Sequence, residues 1–205
     1  MSRANVAVKV PPVNLNLNGF PTESSGDRVY YRAHKATRGA WYFGNAMTSR
    51  FDIENPDGTL YLGDDIETAI RESFGEVLVD AIDISHAMAN TIGVSSVRLP
   101  RQYECAAVAH KSAARFGLTR EINTTIDYDV TQAWARRFHA EGLQGIHYES
   151  RYTTAEGASS WALFGPSGVD PTFVTLVTLA GHDAVAETDI HWRTPPSRDQ
   201  ILFNR

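Results

Sequence analysis

Between Tyr30 and Glu76 the chain gathers side chains suited to gripping an anion beside a flat ring. Arg32, Arg38, Arg50 and Arg71 lie there with Tyr30, Tyr31, Trp41, Tyr42 and Tyr61, and glycines separate them. A guanidinium offers a planar fork of donors that matches the oxygens of a pyrophosphate. Aromatic faces stack on a heterocycle and attract a cationic one. The blend suits a nucleotide ligand. Solvated arginines over a half-buried sheet account for the same composition, and residue types alone leave both readings open.

Other chemistries find less support. The chain has no Walker-type phosphate loop, no G-x-G-x-x-G fingerprint and no G-x-S-x-G nucleophile elbow. Its 7 histidines form neither an H-E-x-x-H pair nor a Cys/His cluster, so no metal is expected. His110, His139 and His147 follow apolar neighbours and read as structural or surface histidines. The single cysteine, Cys105, sits in the apolar run Cys105–Ala109 and reads as a buried thiol rather than a nucleophile. One cysteine excludes an internal disulfide and fits a reducing compartment.

The scaffold holding these residues has 205 positions, enough for one domain with decorated ends and a core that needs no staple. Apolar residues make up 42% and charged residues 21%, ordinary for a globular protein. A net charge of −5 argues against direct nucleic-acid binding. No apolar stretch has the length of a membrane span. Early prolines and asparagines interrupt any signal-peptide core, so a cytoplasmic protein is expected.

Periodicity places the elements. Val10–Gly19 alternates apolar and polar residues and reads as an edge strand or an arm on the surface. Strands are predicted at Arg28–His34, Thr59–Leu62, Thr91–Leu99, Glu104–Ala109, Gly145–Tyr148, Ser160–Phe164 and Pro171–Leu179. Asn55-Pro56-Asp57-Gly58 is a turn signal. A helix opens at Asp64, whose side chain is expected to cap Glu67, with Ile66, Ala69, Ile70, Ser73, Phe74 and Val77 on one face. On that helix Glu72 shares its side with Asp65, Thr68 and Glu76, away from the apolar stripe. A short helix is predicted at Lys111–Phe116, stopped by Gly117. Another begins at Asp129, with Gln132 three residues on, a Val130, Trp134, Phe138 stripe and a stop at Gly142. From Thr194 on, two prolines suggest an arm.

Four motifs in the first half carry a family resemblance: Tyr31-Arg32-Ala33-His34, Ser49-Arg50-Phe51, Leu60-Tyr61-Leu62 and Ala69-Ile70-Arg71-Glu72. Arg50, Tyr61 and Glu72 follow at even intervals of 11. Gly145-Ile146-His147-Tyr148-Glu149-Ser150 and Trp161-Ala162-Leu163-Phe164 continue the pattern. In this order the motifs resemble the RES family, named for an arginine, a glutamate and a serine. The resemblance divides the chain into an extension at 1–27, a core at 28–165, and a strand and tail at 166–205 on the same domain. The stretch from Val79 to Asp129 carries none of it.

The resemblance implies an α+β fold, a central mixed β-sheet split around a cleft and flanked by helices, similar to the ADP-ribosyltransferase toxins. It implies NAD as substrate, with cleavage of the nicotinamide–ribose bond and transfer of ADP-ribose to water, phosphate or a protein. It implies a toxin encoded beside an Xre-like antitoxin that covers the active site. By the same resemblance Glu72 and Arg50 are catalytic, Glu72 stabilising the ribose cation. Arg32, Arg50, Tyr31, Tyr61 and Ser150 bind the dinucleotide. Ser159 and Ser160 rival Ser150 as the family serine. A protein mono-ADP-ribosyltransferase and a non-catalytic nucleotide-binding module are the alternatives.

Overall fold

The computed structural model describes residues 8–193. Its strands are β1 (Thr22–Ser24), β2 (Val29–Lys35), β3 (Tyr42–Phe43), β4 (Asp57–Gly63), β5 (Asp83–Ile84), β6 (Ile92–Arg98), β7 (Glu104–Ala107), β8 (Gly145–Glu149), β9 (Ser159–Pro166), β10 (Gly168–Val169), β11 (Val174–Ala180) and β12 (His191–Trp192). Its helices are α1 (Ile66–Ala81), α2 (His86–Ala89), α3 (Tyr128–Ala140) and α4 (Gly181–Ala186), with 3-10 turns at Lys111–Phe116 and Arg120–Asn123. Among the described residues no helix is long and apolar enough to cross a membrane.

Eight strands make one mixed sheet in the order β1-β7-β8-β9-β4-β2-β6-β11. Only β7 and β8 run parallel within it. This is the expected α+β arrangement of a central mixed sheet flanked by helices. The sheet is continuous on either side of one weak joint. β4 pairs with β9 along its whole length, and β2 does the same with β6. β2 and β4 meet at a single register pair, Tyr31 opposite Gly63. Beyond it the two strands part, and α1 crosses near the joint. A side-chain carbon on Gly63 would lie 2.8 Å from the Ala69 nitrogen, so only glycine lets α1 approach this closely.

Two details of α1 differ from expectation. Its N-cap is Asp65, whose carboxylate accepts from the Thr68 backbone N–H at 2.7 Å. Asp64 is spent elsewhere, accepting from Trp161 Nε1 at 2.8 Å. The buried positions are Thr68, Ala69, Ile70, Gly75 and Leu78, whereas Ser73 is exposed and Val77 is 38% exposed. The helix lies over β2 and β4 at once, so its first turn is covered on several sides and the simple stripe does not hold.

α3 also starts earlier than predicted, at Tyr128, with no side-chain cap from Asp127. Gln132 does not reach back to a cap. Its amide donates to the Met47 and Ser49 carbonyls at 3.1 and 2.9 Å. Trp134, Ala135 and Phe138 fill a core shared with Phe51, Ile146 and Phe164, and Gly142 ends the segment at φ +85°. Asp57 and Gly58 of the predicted turn belong to β4 instead. The segment Val10–Gly19 contains no strand. It is an arm whose Leu17 is buried in the α3 core, with Val8 and Phe20 on either side of the segment. The predicted arm from Thr194 on lies outside the described residues.

Candidate functional site

Where β2 and β4 separate, a cavity of about 330 Å³ opens. β2 supplies Tyr31 and Arg32, β4 supplies Tyr61, and α1 supplies Glu72 and Ser73. The loop between β3 and β4 supplies Thr48, Ser49 and Arg50. Tyr128, Tyr148 and Tyr152 close the far side. Its charged lining is two guanidiniums against one carboxylate, so it favours an anion.

Glu72 is held from both sides. Ser150 Oγ donates to Oε1 at 2.6 Å, and the Tyr148 hydroxyl donates to Oε2 at 3.1 Å. The Tyr152 backbone N–H in turn donates to Ser150 Oγ at 3.3 Å. Burial and the neighbouring Glu72 push the Tyr148 hydroxyl well above its ordinary pKa, so it stays a proton donor. Each bond to an ionised oxygen contributes about 1.5–3 kcal/mol, enough to hold the carboxylate in one orientation. Of the three candidate serines, Ser150 alone touches Glu72 among the described residues. Ser160 is fully buried opposite Tyr148 in β9, and Ser159 Oγ donates to the Gly157 carbonyl at 3.3 Å.

Arg50 stands on a loop braced from below. Asp52 Oδ2 accepts from the Thr48 and Ser49 N–H groups at 3.0 and 2.9 Å. The Tyr61 hydroxyl donates to Asp52 Oδ1 at 3.0 Å and accepts from the Phe51 N–H at 2.9 Å. Thr131 of α3 donates its hydroxyl to the Arg50 carbonyl. The Arg50 side chain is nearly buried, with its guanidinium 5.4 Å from the Tyr128 ring centre. Nη1 donates to the Thr125 carbonyl at 2.6 Å and to the Ile122 carbonyl at 3.4 Å. Burial first, and Arg151 second, hold its pKa below the ordinary arginine value.

Arg32 donates from Nη1 to the Tyr42 carbonyl at 3.0 Å. Burial lowers its pKa to about 10, so it keeps its charge at neutral pH. Neither Arg32 nor Arg50 has a carboxylate partner among the described residues. Two guanidiniums lifted from bulk water without counter-charge are ready to accept an anionic ligand.

The structure thus brings Arg32, Arg50, Tyr31, Tyr61 and Glu72 around one opening, with Ser150 behind Glu72 and not in the lining. The Tyr61 hydroxyl is committed to the loop, so its ring is what remains for a ligand. The other members of the arginine-aromatic group lie elsewhere. Arg71 pairs with Glu67 at 2.7 Å, Tyr30 is fully buried, and Trp41 Nε1 donates to Thr175 Oγ1 at 2.8 Å. Cys105 is fully buried and burial raises its thiol pKa, as for a structural thiol. His110 caps the first 3-10 turn, and His147 packs on Trp161 with ring centres 4.3 Å apart.

Sequence reasoning assigned nothing to Tyr148, Asp52, Tyr128 or Tyr152. Tyr148 stands inside a quoted motif, two residues before Ser150, where the alternation of a strand puts both on one face. Asp52, three residues after Ser49, has the spacing at which an acidic side chain reaches back to an earlier backbone N–H, as in the second half of a capping box. Tyr128 and Tyr152 give no sequence signal.

Comparison with known proteins agrees with this architecture. A solved structure of similar fold is the crystal structure of the M. tuberculosis MbcT-MbcA toxin-antitoxin complex. The alignment has a TM-score of 0.61 and 15% identity, and covers 78% of this chain and 88% of that one. No curated protein sequence matches significantly. The sequence profile of the RES domain matches residues 27–193, reaching past the quoted motifs through β11, α4 and β12. The chain belongs to the RES domain family.

Proposed function

We propose that this chain is an NAD-degrading toxin of a toxin–antitoxin pair, cleaving the nicotinamide–ribose bond by hydrolysis or phosphorolysis. The observation that carries this reading is the pairing of one oriented carboxylate, Glu72, with two uncompensated guanidiniums, Arg32 and Arg50, across one cavity. NAD presents a diphosphate to the arginines and a ribose to the carboxylate. As the glycosidic bond lengthens, its electron pair goes to the nicotinamide nitrogen and positive charge grows on the ribose ring. A carboxylate already oriented there stabilises that charge without reorganising. Nicotinamide leaves neutral as an oxygen of water or phosphate bonds to the ribose carbon, and the proton shed by a water nucleophile passes to solvent.

The resemblance to a structure solved as a toxin-antitoxin complex supports the pairing with an antitoxin. An Xre-like protein covering the cavity is the partner proposed, in the cytoplasm where both would be made. The test is incubation of purified protein with NAD, with and without phosphate, followed by product separation. Nicotinamide should appear with ADP-ribose, or with its phosphate ester when phosphate is present. No release of nicotinamide by soluble, folded protein would sink the enzymatic reading. Expression without a partner should arrest bacterial growth and deplete NAD. Normal growth at confirmed soluble expression would remove the toxin assignment.

A further inference from the structure

Arg151 takes no part in the mechanism above, yet it is built into the edge of the same site. Its Nη1 donates to the Thr124 carbonyl at 3.4 Å, while Arg50 Nη1 donates to the next carbonyl, Thr125, at 2.6 Å. Two guanidiniums are therefore seated side by side on one loop. Its Nη2 also contacts the hydroxyl of Tyr152, a residue of the cavity wall, and its guanidinium carbon lies 4.5 Å from that ring's centre. The Tyr152 ring occupies the space over Gly75, where a side-chain carbon would fall 2.2 Å from it.

The charges on this side are poorly balanced. Among the described residues, the acidic partner of Arg151 is Glu76, at 3.8 Å, and Glu76 is 84% exposed while Arg151 is 13% exposed. A partner so exposed is screened by water and salt. Arg151 Nε is buried and makes no hydrogen bond. A guanidinium that keeps 13% of its surface, beside a second cation and with only a screened acidic partner, is an arrangement that an anion would complete. Arg151 reaches Glu76, one helical turn beyond Glu72 on α1, whereas the Glu72 charge acts on Arg50, so Arg151 belongs to the end of the site away from the carboxylate assigned to the ribose.

We propose that Arg50 and Arg151 form a two-arginine clamp for the diphosphate of a nucleotide, Arg151 holding the phosphate more distant from Glu72. This rests on reading the cavity as an NAD site and adds a residue that sets the preference for a dinucleotide over a mononucleotide.

The test is calorimetric titration of the full chain with ADP and with nicotinamide mononucleotide, on wild type, Arg151→Ala and Arg151→Lys. Losing one charge-assisted pair should weaken ADP binding at least about tenfold in Arg151→Ala. Binding of nicotinamide mononucleotide should change less than about threefold, since it lacks the phosphate distant from Glu72. Arg151→Lys should fall between, keeping charge without the planar fork. If thermal melting shows Arg151→Ala unfolded at the assay temperature, the lysine variant decides by the same contrast between the two ligands. Equal weakening of both ligands or unchanged ADP binding overturns the clamp. Wild type that binds ADP as described but releases no nicotinamide from NAD leaves the clamp standing and removes the enzymatic reading.

Discussion

On the α1 side of the cavity, Glu72 has both carboxylate oxygens occupied by hydroxyl donors from β8 and the residue after it. Across the opening, Arg32 and Arg50 reach only backbone carbonyls, and neither meets a carboxylate among the described residues. The loop under Arg50 is nevertheless braced by Asp52, Tyr61, Thr131 and Gln132. The difference lies in the charged heads, since both walls have rigid backbones. A carboxylate satisfied in the free protein is oriented before anything binds. Guanidiniums with spare donors and no counter-charge gain most of their partners from the ligand. The division matches a site that grips with one wall and stabilises developing charge with the other.

The most direct way to break that comparison is Glu72→Gln. If the carboxylate stabilises cationic ribose, NAD turnover should fall on the order of a hundredfold or more, with a smaller change in affinity. Glu76→Gln, exposed one turn away, should stay active. The substitution also has a structural cost. Ser150 and Tyr148 both donate to Glu72, and a glutamine offers one acceptor oxygen where they need two. A loss of about 1–2 kcal/mol in stability is expected, measurable by denaturant titration. Full activity in Glu72→Gln would end the assignment of roles to the two walls.

The arginine wall should respond next. Arg32→Lys and Arg50→Lys keep the charge and lose the fork, and NAD turnover at limiting substrate should drop roughly tenfold. Arg38→Lys and Arg115→Lys, outside the cavity lining, should be near neutral. Equal losses at all four positions would mean that the field of the protein, and not a built site, is being read.

How much of this was legible beforehand depends on the range of each interaction. β2, β6, β8, β9 and α3 have periodic or β-branched sequences, and local pattern located them within a few residues. β3, β5, β10 and β12 are pairs of two residues that exist because distant segments bring them together, and no window of sequence contains that information. By sequence Asp64 is the expected cap, three residues before Glu67, and in the structure Asp65 takes that role. Trp161, nearly a hundred residues away, decided between them by taking the Asp64 carboxylate. The site divides in the same way. Arg32, Arg50 and Glu72 came from motif order, but the cavity they share is made by the parting of β2 from β4, a tertiary event. Tyr128 enters it from the first residue of α3, outside that helix's apolar stripe, and Tyr152 from a connection without periodicity. Arg71 and Trp41 had the right chemistry and point into ion pairs and core instead.

Within the carboxylate wall the two donors can be ranked. Ser150 holds Glu72 at 2.6 Å and Tyr148 at 3.1 Å, so Ser150→Ala should lower turnover more than Tyr148→Phe. Both effects should be modest, about threefold to tenfold. The donors hold the carboxylate in the ground state as well as in the transition state, and only the difference reaches the rate. Steady-state kinetics with NAD would show it, and a hundredfold loss in Tyr148→Phe would point to a direct role for that hydroxyl.

The smallest effect is expected at Gly75, on the boundary between the walls. It sits inside α1, where alanine would favour the helix by roughly 1 kcal/mol. An added carbon would meet the Tyr152 ring at 2.2 Å, and the ring must swing away. Tyr152 is only half-buried and can move, so the clash should cancel the helix gain rather than unfold the protein. Gly75→Ala should therefore melt within a few degrees of wild type, a shift of about 1 kcal/mol or less. The displaced ring would carry its hydroxyl away from Arg151, and the KM for NAD should rise a few-fold with little change in kcat. In a Tyr152→Ala background the clash is gone, and Gly75→Ala should then stabilise by roughly the full helix propensity. A double-mutant cycle in thermal melting separates the two contributions. If Gly75→Ala stabilises equally in both backgrounds, the ring does not rest on the helix as described, and Tyr152 does not link the arginine side to α1.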